Sequence, residues 1–434
     1  MSKLWETTLS SNETSKKVEA LTVGNDYQLD MYLVPFDVKA SIAHAHGLQL
    51  IDLLTEEEFG KIKSCLHQLL EDYESGEFII DQNQEDCHTA IEEYLTIRLG
   101  DIGKKIHTGR SRNDQVLTAL RLYEIDQIQH VLENAILVAK KLLSFAKKHE
   151  FVPLPGYTHT QPAMLASVGM WAGSFAEMLS NSMNLLLQIK EMINQCPLGT
   201  AAGYGVDLPL ERNSVSNILG FKNPITVAMT AQHSRGKWES TVVHGLSSIT
   251  DTLAHFANDL ILFSSYDFGF FSFDEGLTTG SSIMPQKKNL DLAELMRAKH
   301  QKLLSHQYFL NQVTTNLHSG YHRDLQLTKE PVIDSFTICN EILQASELLI
   351  DGLSVNEEKI NKKIHSEIFA ANEANKLVLE GMAFRDAYQV IKKNLKKVNT
   401  SEFEEYLKQS THLGGTGNLG LEIIEKNLNE ISVH

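Results

Sequence analysis

The placement of proline constrains the fold of this chain more than any other feature of its sequence. The chain has 434 residues and nine prolines, which leave the segments 36–152, 225–284 and 332–434 without a proline. A proline in a helix interior removes a hydrogen bond and costs about 3 kcal/mol. The proline-free segments are therefore where long helices can form.

Apolar residues recur at helical spacing along much of the chain. From Asp114 to about Lys148 they keep one broad stripe, which predicts a helix about 50 Å long at about 1.5 Å per residue. Four more long helices are predicted, over about 163–189, 234–262, 291–315 and 331–350. Because no segment shows the clear alternation of a strand, the expected class is nearly all-α, with the long helices in a bundle.

The ends of this bundle suggest the domain boundaries. We predict an N-terminal helical domain over residues 1–105, a central long-helix bundle over 106–353 and a small helical C-terminal domain over 354–434. Thr55 and Glu58 have the spacing of a capping box at a helix start in the first domain. The stretch Ser354-Val355-Asn356 is expected to cap a helix at the start of the third.

Charge and cysteine content limit the classes of function. A formal net charge of -16 without any basic run argues against nucleic acid or an anionic membrane as the main partner. The four cysteines form no CxxC pair, which favours a reduced, cytoplasmic setting and no zinc site. No window offers about 18 uninterrupted apolar residues, so no membrane span is expected. No glycine-rich nucleotide motif follows a strand, so no cofactor is expected.

A small, polar stretch lies between the third and fourth predicted long helices. It runs from Glu275 to Asn289 and contains the adjacent serines Ser281 and Ser282, followed by Lys287 and Lys288. This composition is typical of a mobile loop that closes over an anionic ligand. The alternative is a solvated connection with incidental lysines.

Two polar clusters lie before and at the start of the first long helix. In the first, residues 85–90, Asp86 is expected to cap a helix and His88 to be exposed. In the second, residues 107–115, two arginines, a serine and an asparagine meet the N–H groups of a helix start. This combination suits a carboxylate ligand, although a solvated cap has the same composition.

Two more clusters follow the first long helix. His159 lies on a turn stiffened by Pro155 and Pro162, and it is either a general acid or a structural histidine. Residues 321–330 form a charged corner between helices. No spacing of His, Asp or Glu indicates a metal site, so none is predicted.

Three strings in these clusters, GSSIMPQKKN, HTGRSRNDQ and GYTH, resemble the argininosuccinate lyases of the fumarase/aspartase lyase superfamily. The resemblance extends from about Thr22 to Leu419. It implies three helical domains and a homotetramer, with a 20-helix core and active sites that are each shared between three subunits. It also implies reversible elimination of argininosuccinate to L-arginine and fumarate, through an aci-carboxylate intermediate and without a cofactor.

The resemblance implies a role for each matching residue. Ser281 matches the base, His159 the acid or its orienting group, Glu294 the carboxylate partner of that histidine, and Lys287 a cation that lowers the pKa of the serine. The fumarate carboxylates are expected at Asn113, Thr158, Lys287 and Asn289, with assistance from Ser111 and Arg112. The arginine end is expected at Thr22, Asp26, Asp86, Tyr321 and Gln326.

Departures from the family pattern include two positions near the predicted site. Thr328 stands where an aspartate is usual, and Arg235 lies one residue from the family's arginine, so it is not included in the predicted site. Thr328 motivates one alternative, a lyase of the same superfamily that acts on a modified succinyl-amine. The other alternative is a non-catalytic, crystallin-like homologue, against which the intact Ser281, His159 and Glu294 argue.

Overall fold

A computed structural model of the protein describes residues 13–394 and 397–432. Helices make up most of it. Before the bundle these are α1 (Glu13–Val23), α2 (Asp26–Leu29), α3 (Val34–Leu50), α4 (Glu56–Glu74), α5 (Cys87–Leu99) and α6 (Asp101–Lys104). The next are α7 (Arg112–Lys148), α8 (Val168–Ile193), α9 (Arg212–Leu219), α10 (Ala228–Ser234), α11 (Lys237–Ser264), α12 (Asp291–Val313) and α13 (Lys329–Asp351). The last are α14 (Glu357–Lys363), α15 (Ala370–Leu379), α16 (Phe384–Asn394), α17 (Phe403–Lys408) and α18 (Leu421–Ile431).

The prediction of a nearly all-α protein with five long helices is confirmed by α7, α8, α11, α12 and α13. The described strands are short and form three two-stranded sheets. They are β1 (Pro153–Thr158) with β2 (Gln161–Ser167), β3 (Gln195–Cys196) with β4 (Asn223–Pro224), and β5 (Phe271–Phe273) with β6 (Leu353–Val355). None of the described helices is long and apolar enough to cross a membrane.

One predicted helix start was wrong. Helix α8 was expected to begin near Ala163, but it begins at Val168, because residues 161–167 pair with β1 as an antiparallel hairpin. The hairpin turn is His159-Thr160, and both residues have positive φ, 52° and 60°. Asn-Gly is the usual signal for such a turn. Because this signal is absent, a hairpin was not predicted.

The predicted helix caps are confirmed. Thr55 and Glu58 form a complete capping box at the start of α4. Asp86 caps α5 by accepting the Thr89 N–H at 2.8 Å. Asn356 caps α14 by accepting the Lys359 N–H at 3.0 Å. These side chains satisfy N–H groups that have no partner within the first turn of their helices.

Contacts within the chain divide it into two compact units. The first unit comprises Gln188–Val243, His306–Asp334 and the described residues up to Gln129, and the second comprises His130–Leu187, His244–Ser305 and the described residues from Ser335 onward. The first unit has an apolar core around Leu122, Leu198 and Phe221. In the second, Trp171 stacks on Phe256 with ring centroids 5.5 Å apart. The division into three domains stays a prediction.

Three charged side chains lie buried together in the first unit. Arg121 on α7 donates to Glu124 at 2.9 Å and lies 3.5 Å from Glu239 on α11. Its guanidinium also lies 4.5 Å from the ring centroid of Trp238. One arginine cannot neutralise two carboxylates. Burial, and secondarily the charge of Glu239, therefore raise the pKa of Glu124 to about 8 against the pull of Arg121.

We expect the Glu124→Gln variant to be more stable than the wild type at alkaline pH. Because the pKa of Glu124 is higher in the folded chain than the ordinary value of 4.5, the free energy of unfolding falls as pH rises from about 4.5 to about 8. Thermal unfolding should give similar Tm values for the two proteins at pH 5 and a higher Tm for the variant at pH 8.5. Glu405→Gln, at an exposed position on α17, is the control. The same pH dependence in E124Q and wild type would contradict the assignment.

Candidate active site

A cavity of about 630 Å³ lies within the first unit. Several short segments converge on it: the start of α2, the turn before α5, the start of α7, and the two turns that precede α11 and α13. Its charged and polar lining residues are Asp26, Glu85, Asp86, Glu92, His107, Arg110, Ser111, Arg112, Asn113, Arg235, Tyr321, Arg323, Gln326 and Lys329. The predicted Asp26, Asp86, Ser111, Arg112, Asn113, Tyr321 and Gln326 are thus brought together.

A buried carboxylate fixes the turn that carries Ser111 and Asn113. Asp114 accepts N–H groups from Ser111 at 2.9 Å, from Gly199 at 2.9 Å and from Ala201 at 2.8 Å. Burial raises the pKa of Asp114 to about 6, although these N–H groups act to lower it. Ser111 in turn accepts the Asn113 N–H at 3.3 Å. The helix start is therefore held from two directions.

Arg112 connects the start of α7 to the start of α5. It donates to Thr89 at 2.6 Å and to Glu85 at 3.2 Å, and it lies 3.2 Å from Asp86. Burial acts to raise the pKa of Asp86, but the charges of His88 and Arg112 outweigh it and hold that pKa below its ordinary value. Asp86 therefore stays ionised in the cavity wall.

The prediction that His88 is exposed was wrong. Its ring is fully buried, and Nδ1 lies 2.9 Å from Asp37 on α3. Burial acts to lower the pKa of His88, but Asp37 outweighs it and raises that pKa above its ordinary value. The sequence signal for this contact was weak, because aspartate side chains usually face solvent.

Sequence reasoning also missed Lys329, the first residue of α13. Its ammonium lies 2.6 Å from Asp30 and 3.0 Å from Asp26, and Asp30 also accepts the Cys87 N–H at 3.1 Å. Burial acts to lower the pKa of Lys329, but the two aspartates raise it well above its usual range. The spacing of Asp26 and Asp30, four residues apart, was the available signal.

One group of side chains in this region has the composition of a metal site. Asp30, Cys87 and His88 each bring a ligand atom within 4.8 Å of the others. The ammonium of Lys329 already neutralises Asp30, and His88 is engaged with Asp37. Burial and the neighbouring aspartates raise the pKa of Cys87 well above its ordinary value, which disfavours the thiolate that a metal needs. These residues therefore fit a hydrogen-bonded network better than a metal.

The wall formed by residues 321–328 approaches α1. Arg323 donates to the carbonyl oxygen of Thr22 at 2.8 Å, and Gln326 donates to the same oxygen at 2.9 Å. Thr22 thus meets this wall through its main chain. Thr328 is fully buried and donates to the carbonyl of Leu325 at 2.8 Å. It is not among the residues that line the cavity.

Arg235, which the sequence analysis set aside, lines the cavity. It is 4% exposed, and its guanidinium lies 5.0 Å from the ring centroid of Tyr321. Within the described part of the chain it has no carboxylate partner. A buried guanidinium needs a counter-charge, so Arg235 is suited to bind an anionic ligand.

The remaining predicted residues belong to the second unit. Ser281 lies in the loop before α12, where its Oγ accepts N–H groups from Ile283 at 3.4 Å and Met284 at 3.2 Å. Lys287 and Asn289 follow in the same loop. Glu294 is in the first turn of α12 and lines a groove of about 460 Å³ between α11 and α12, with His255 and Arg297.

Thr158 and His159 lie at the tip of the hairpin formed by β1 and β2. Positive φ at His159 and Thr160 is strained for residues with a Cβ, and such strain is common at functional sites. The structure shows no hydrogen bond or ion pair between His159 and Ser281 or Glu294 among its described residues. The predicted site therefore falls into two sets, one in each unit.

Comparison with known proteins shows that the chain is a lyase. A family described as lyase matches residues 10–304. Argininosuccinate lyase of Thermotoga neapolitana is 42% identical over 90% of this chain and 97% of its own length. Argininosuccinate lyase of Bacteroides fragilis is 41% identical, with coverage of 96% and 92%. The chain therefore belongs to the argininosuccinate lyase family.

Solved structures agree on the fold. EDDS lyase in complex with formate superposes with a TM-score of 0.78 at 20% identity, covering 96% of this chain and 89% of that chain. At 20% sequence identity, this similarity shows the fold alone.

We expect Lys329→Met to destabilise the protein strongly. Without the ammonium, the fully buried Asp30 and the partly buried Asp26 would lose their counter-charge, at a cost of about 3–5 kcal/mol in the free energy of unfolding. Chemical denaturation should show this loss, and adding Asp30→Asn should restore part of it. Lys288→Met removes an exposed pair with Glu275 and should cost less than about 1 kcal/mol. An equally small effect for K329M would contradict the assigned role.

Proposed function

We propose that the protein catalyses the reversible elimination of argininosuccinate to L-arginine and fumarate, in arginine biosynthesis. The identity of about 40% to argininosuccinate lyases along nearly the whole chain carries this proposal. The cavity of the first unit supports it, because it combines a guanidinium short of a counter-charge with ionised carboxylates. A substrate with both carboxylate and cationic groups fits such a lining.

Ser281 is the proposed base. It removes a proton from the succinyl carbon next to a carboxylate, and this carboxylate takes up the charge as an aci-carboxylate. The hydroxyl must be deprotonated or nearly so, and the N–H groups of Ile283 and Met284 point at its Oγ. Such donors stabilise an alkoxide, as does the nearby cation expected from Lys287. Asn289, in the same loop, and Thr158, at the hairpin tip, are proposed to bind the fumarate carboxylates.

His159 is the proposed acid or the group that orients the acid, with Glu294 as its carboxylate partner. The elimination is complete when the departing guanidinium nitrogen receives a proton. The strained turn supports this role, because a hairpin that served only to reverse the chain would favour glycine or asparagine at its tip. Glu294 faces a groove wide enough to admit a side chain of another segment.

The first unit is proposed to bind the rest of the substrate. Arg235 and Asn113, assisted by Ser111 and Arg112, suit carboxylates. Asp26 and Asp86 suit the guanidinium and ammonium groups of the arginine end. Tyr321, Gln326 and the Thr22 main chain complete this wall.

The alternative of a modified succinyl-amine substrate rested on Thr328. Its side chain is buried and bonded to the Leu325 carbonyl, outside the cavity lining. A change at this position therefore leaves the lining groups in place. Argininosuccinate is the substrate that we propose.

A homotetramer with sites shared between three subunits is part of the proposal. The two sets of site residues lie in different units of the chain. Large apolar side chains are exposed on four long helices, namely Met178 on α8, Leu262 on α11, Leu295 on α12 and Leu348 on α13. Such exposure fits burial against other copies in a 20-helix core. Four buried free thiols fit the cytoplasm as the location.

Substitution of Ser281 tests the assignment of the base. Purified protein mixed with argininosuccinate should release fumarate and arginine in equal amounts, followed by ultraviolet absorbance and amino-acid analysis. Ser281→Ala should lower kcat by about 10²–10⁴, because the proton-abstracting group is lost. Ser272→Ala, an exposed serine on β5, is the matched control. Release of neither product by the correctly assembled wild type would exclude the proposed reaction.

Substitution of Arg235 tests its place in the substrate site. Arg235→Gln removes a charged hydrogen-bond donor to a substrate carboxylate, which is worth about 1.5–3 kcal/mol. KM for argininosuccinate should rise about 10–100-fold with a smaller change in kcat, since the carboxylate is bound both before and during the reaction. Arg98→Gln, on α5 and outside the cavity, controls for loss of a surface arginine. An unchanged KM would remove Arg235 from the site.

A further inference from the structure

Two main-chain hydrogen bonds close the loop that carries Ser281. Thr279 N–H donates to the Asn289 carbonyl at 3.0 Å, and Asn289 N–H donates to the Thr279 carbonyl at 2.8 Å. This isolated antiparallel bridge joins the two ends of the loop over residues 280–288. The loop is therefore a closed ring with a defined base.

The hydroxyl of Thr279 adds a second connection at this base. It donates to the carboxylate of Asp291, the first residue of α12, and the Asn289 amide nitrogen lies 3.5 Å from it. One hydroxyl thus contacts both the residue that ends the loop and the helix that follows. A hydrogen bond to an ionised carboxylate is stronger than one between neutral groups.

The segments on either side of the base are anchored. Leu277 packs against Gly352, where a Cβ would lie 2.3 Å from the leucine Cδ1, so that a side chain at position 352 would displace the leucine. Asp274 N–H donates to the Gly352 carbonyl at 3.2 Å. On the other side, Leu290 and Ala293 are buried. The loop can therefore move only within the segment between these anchors, and the bridge between Thr279 and Asn289 closes that segment.

We propose that Thr279 and Asp291 are positioning residues, which hold the base of this loop so that Ser281 and Asn289 keep a fixed separation from α12. This inference rests on the proposed function of Ser281 as the base. Thr279 lies two residues before Ser281, and Asp291 two residues after Asn289. Neither residue needs to touch the substrate. Their effect is to limit the conformations of the loop, which is how positioning contributes to rate.

The test compares variants that differ in a single group. Thr279→Val removes the hydroxyl but keeps the branched shape, Thr279→Ser keeps the hydroxyl, and Asp291→Ala removes its acceptor. Thr278→Val is the control, since the hydroxyl of Thr278 donates only to the Glu275 carbonyl at 3.2 Å. Each protein is measured for assembly, for kcat and KM with argininosuccinate, and for amide hydrogen exchange over residues 280–288.

We expect T279V and D291A to lower kcat at least about tenfold with little change in KM. Both should also speed exchange over 280–288, while T279S and T278V stay near wild type. Normal kinetics in T279V, or lost activity with unchanged exchange, would overturn the proposal. Hydrogen exchange does not depend on turnover. If wild type releases no fumarate, the proposed reaction fails, while unchanged exchange in T279V would separately show that the hydroxyl does not hold the loop.

Discussion

The cavity of the first unit depends on the two ion pairs that the Lys329 ammonium forms with Asp26 and Asp30. Moving a lysine out of water costs several kcal/mol unless carboxylates compensate. The ion pairs therefore hold the start of α13 against the start of α2 and the turn that follows α2. Asp30 in that turn also accepts the Cys87 N–H, which connects the start of α5 to the same network. The positions of Gln326 and Asp86 follow from it, because each lies within three residues of a member of this network.

Local charge gives this cavity its chemistry. The chain carries a net charge of -16, so its overall field repels an anionic substrate. Attraction must come from groups such as Arg235, which is buried beside Tyr321. Ionised Asp86 is suited to the cationic end of the substrate. The loop around Ser281 adds N–H donors. Binding groups and the proposed base thus lie on different segments, as expected for a site completed by several subunits.

The sequence predicted the parts of the fold that depend on local rules. Proline-free segments with helical apolar spacing predicted the five long helices. Thr55, Asp86 and the stretch 354–356 were identified as caps from their neighbours alone. The contacts that decide burial are distant in sequence and were missed. His88 meets Asp37 across 51 residues, and Lys329 meets Asp30 across 299. Arg235 was left out of the predicted site because it lies one residue from the family's arginine. Its place in the cavity wall depends instead on the turn between α10 and α11. The roles of the site residues stay predictions.

Complementation between inactive variants tests most directly the claim that one active site combines residues of different subunits. Ser281→Ala and Asn113→Ala homotetramers would be mixed, dissociated and reassembled, and fumarate release would be measured. The account predicts that the mixture regains activity which neither parent has, because some sites then receive both an intact loop and an intact Asn113. A mixture of Ser281→Ala with Lys287→Ala, in the same loop, should regain none. Failure of the first mixture, with mixed tetramers present, would contradict a shared site.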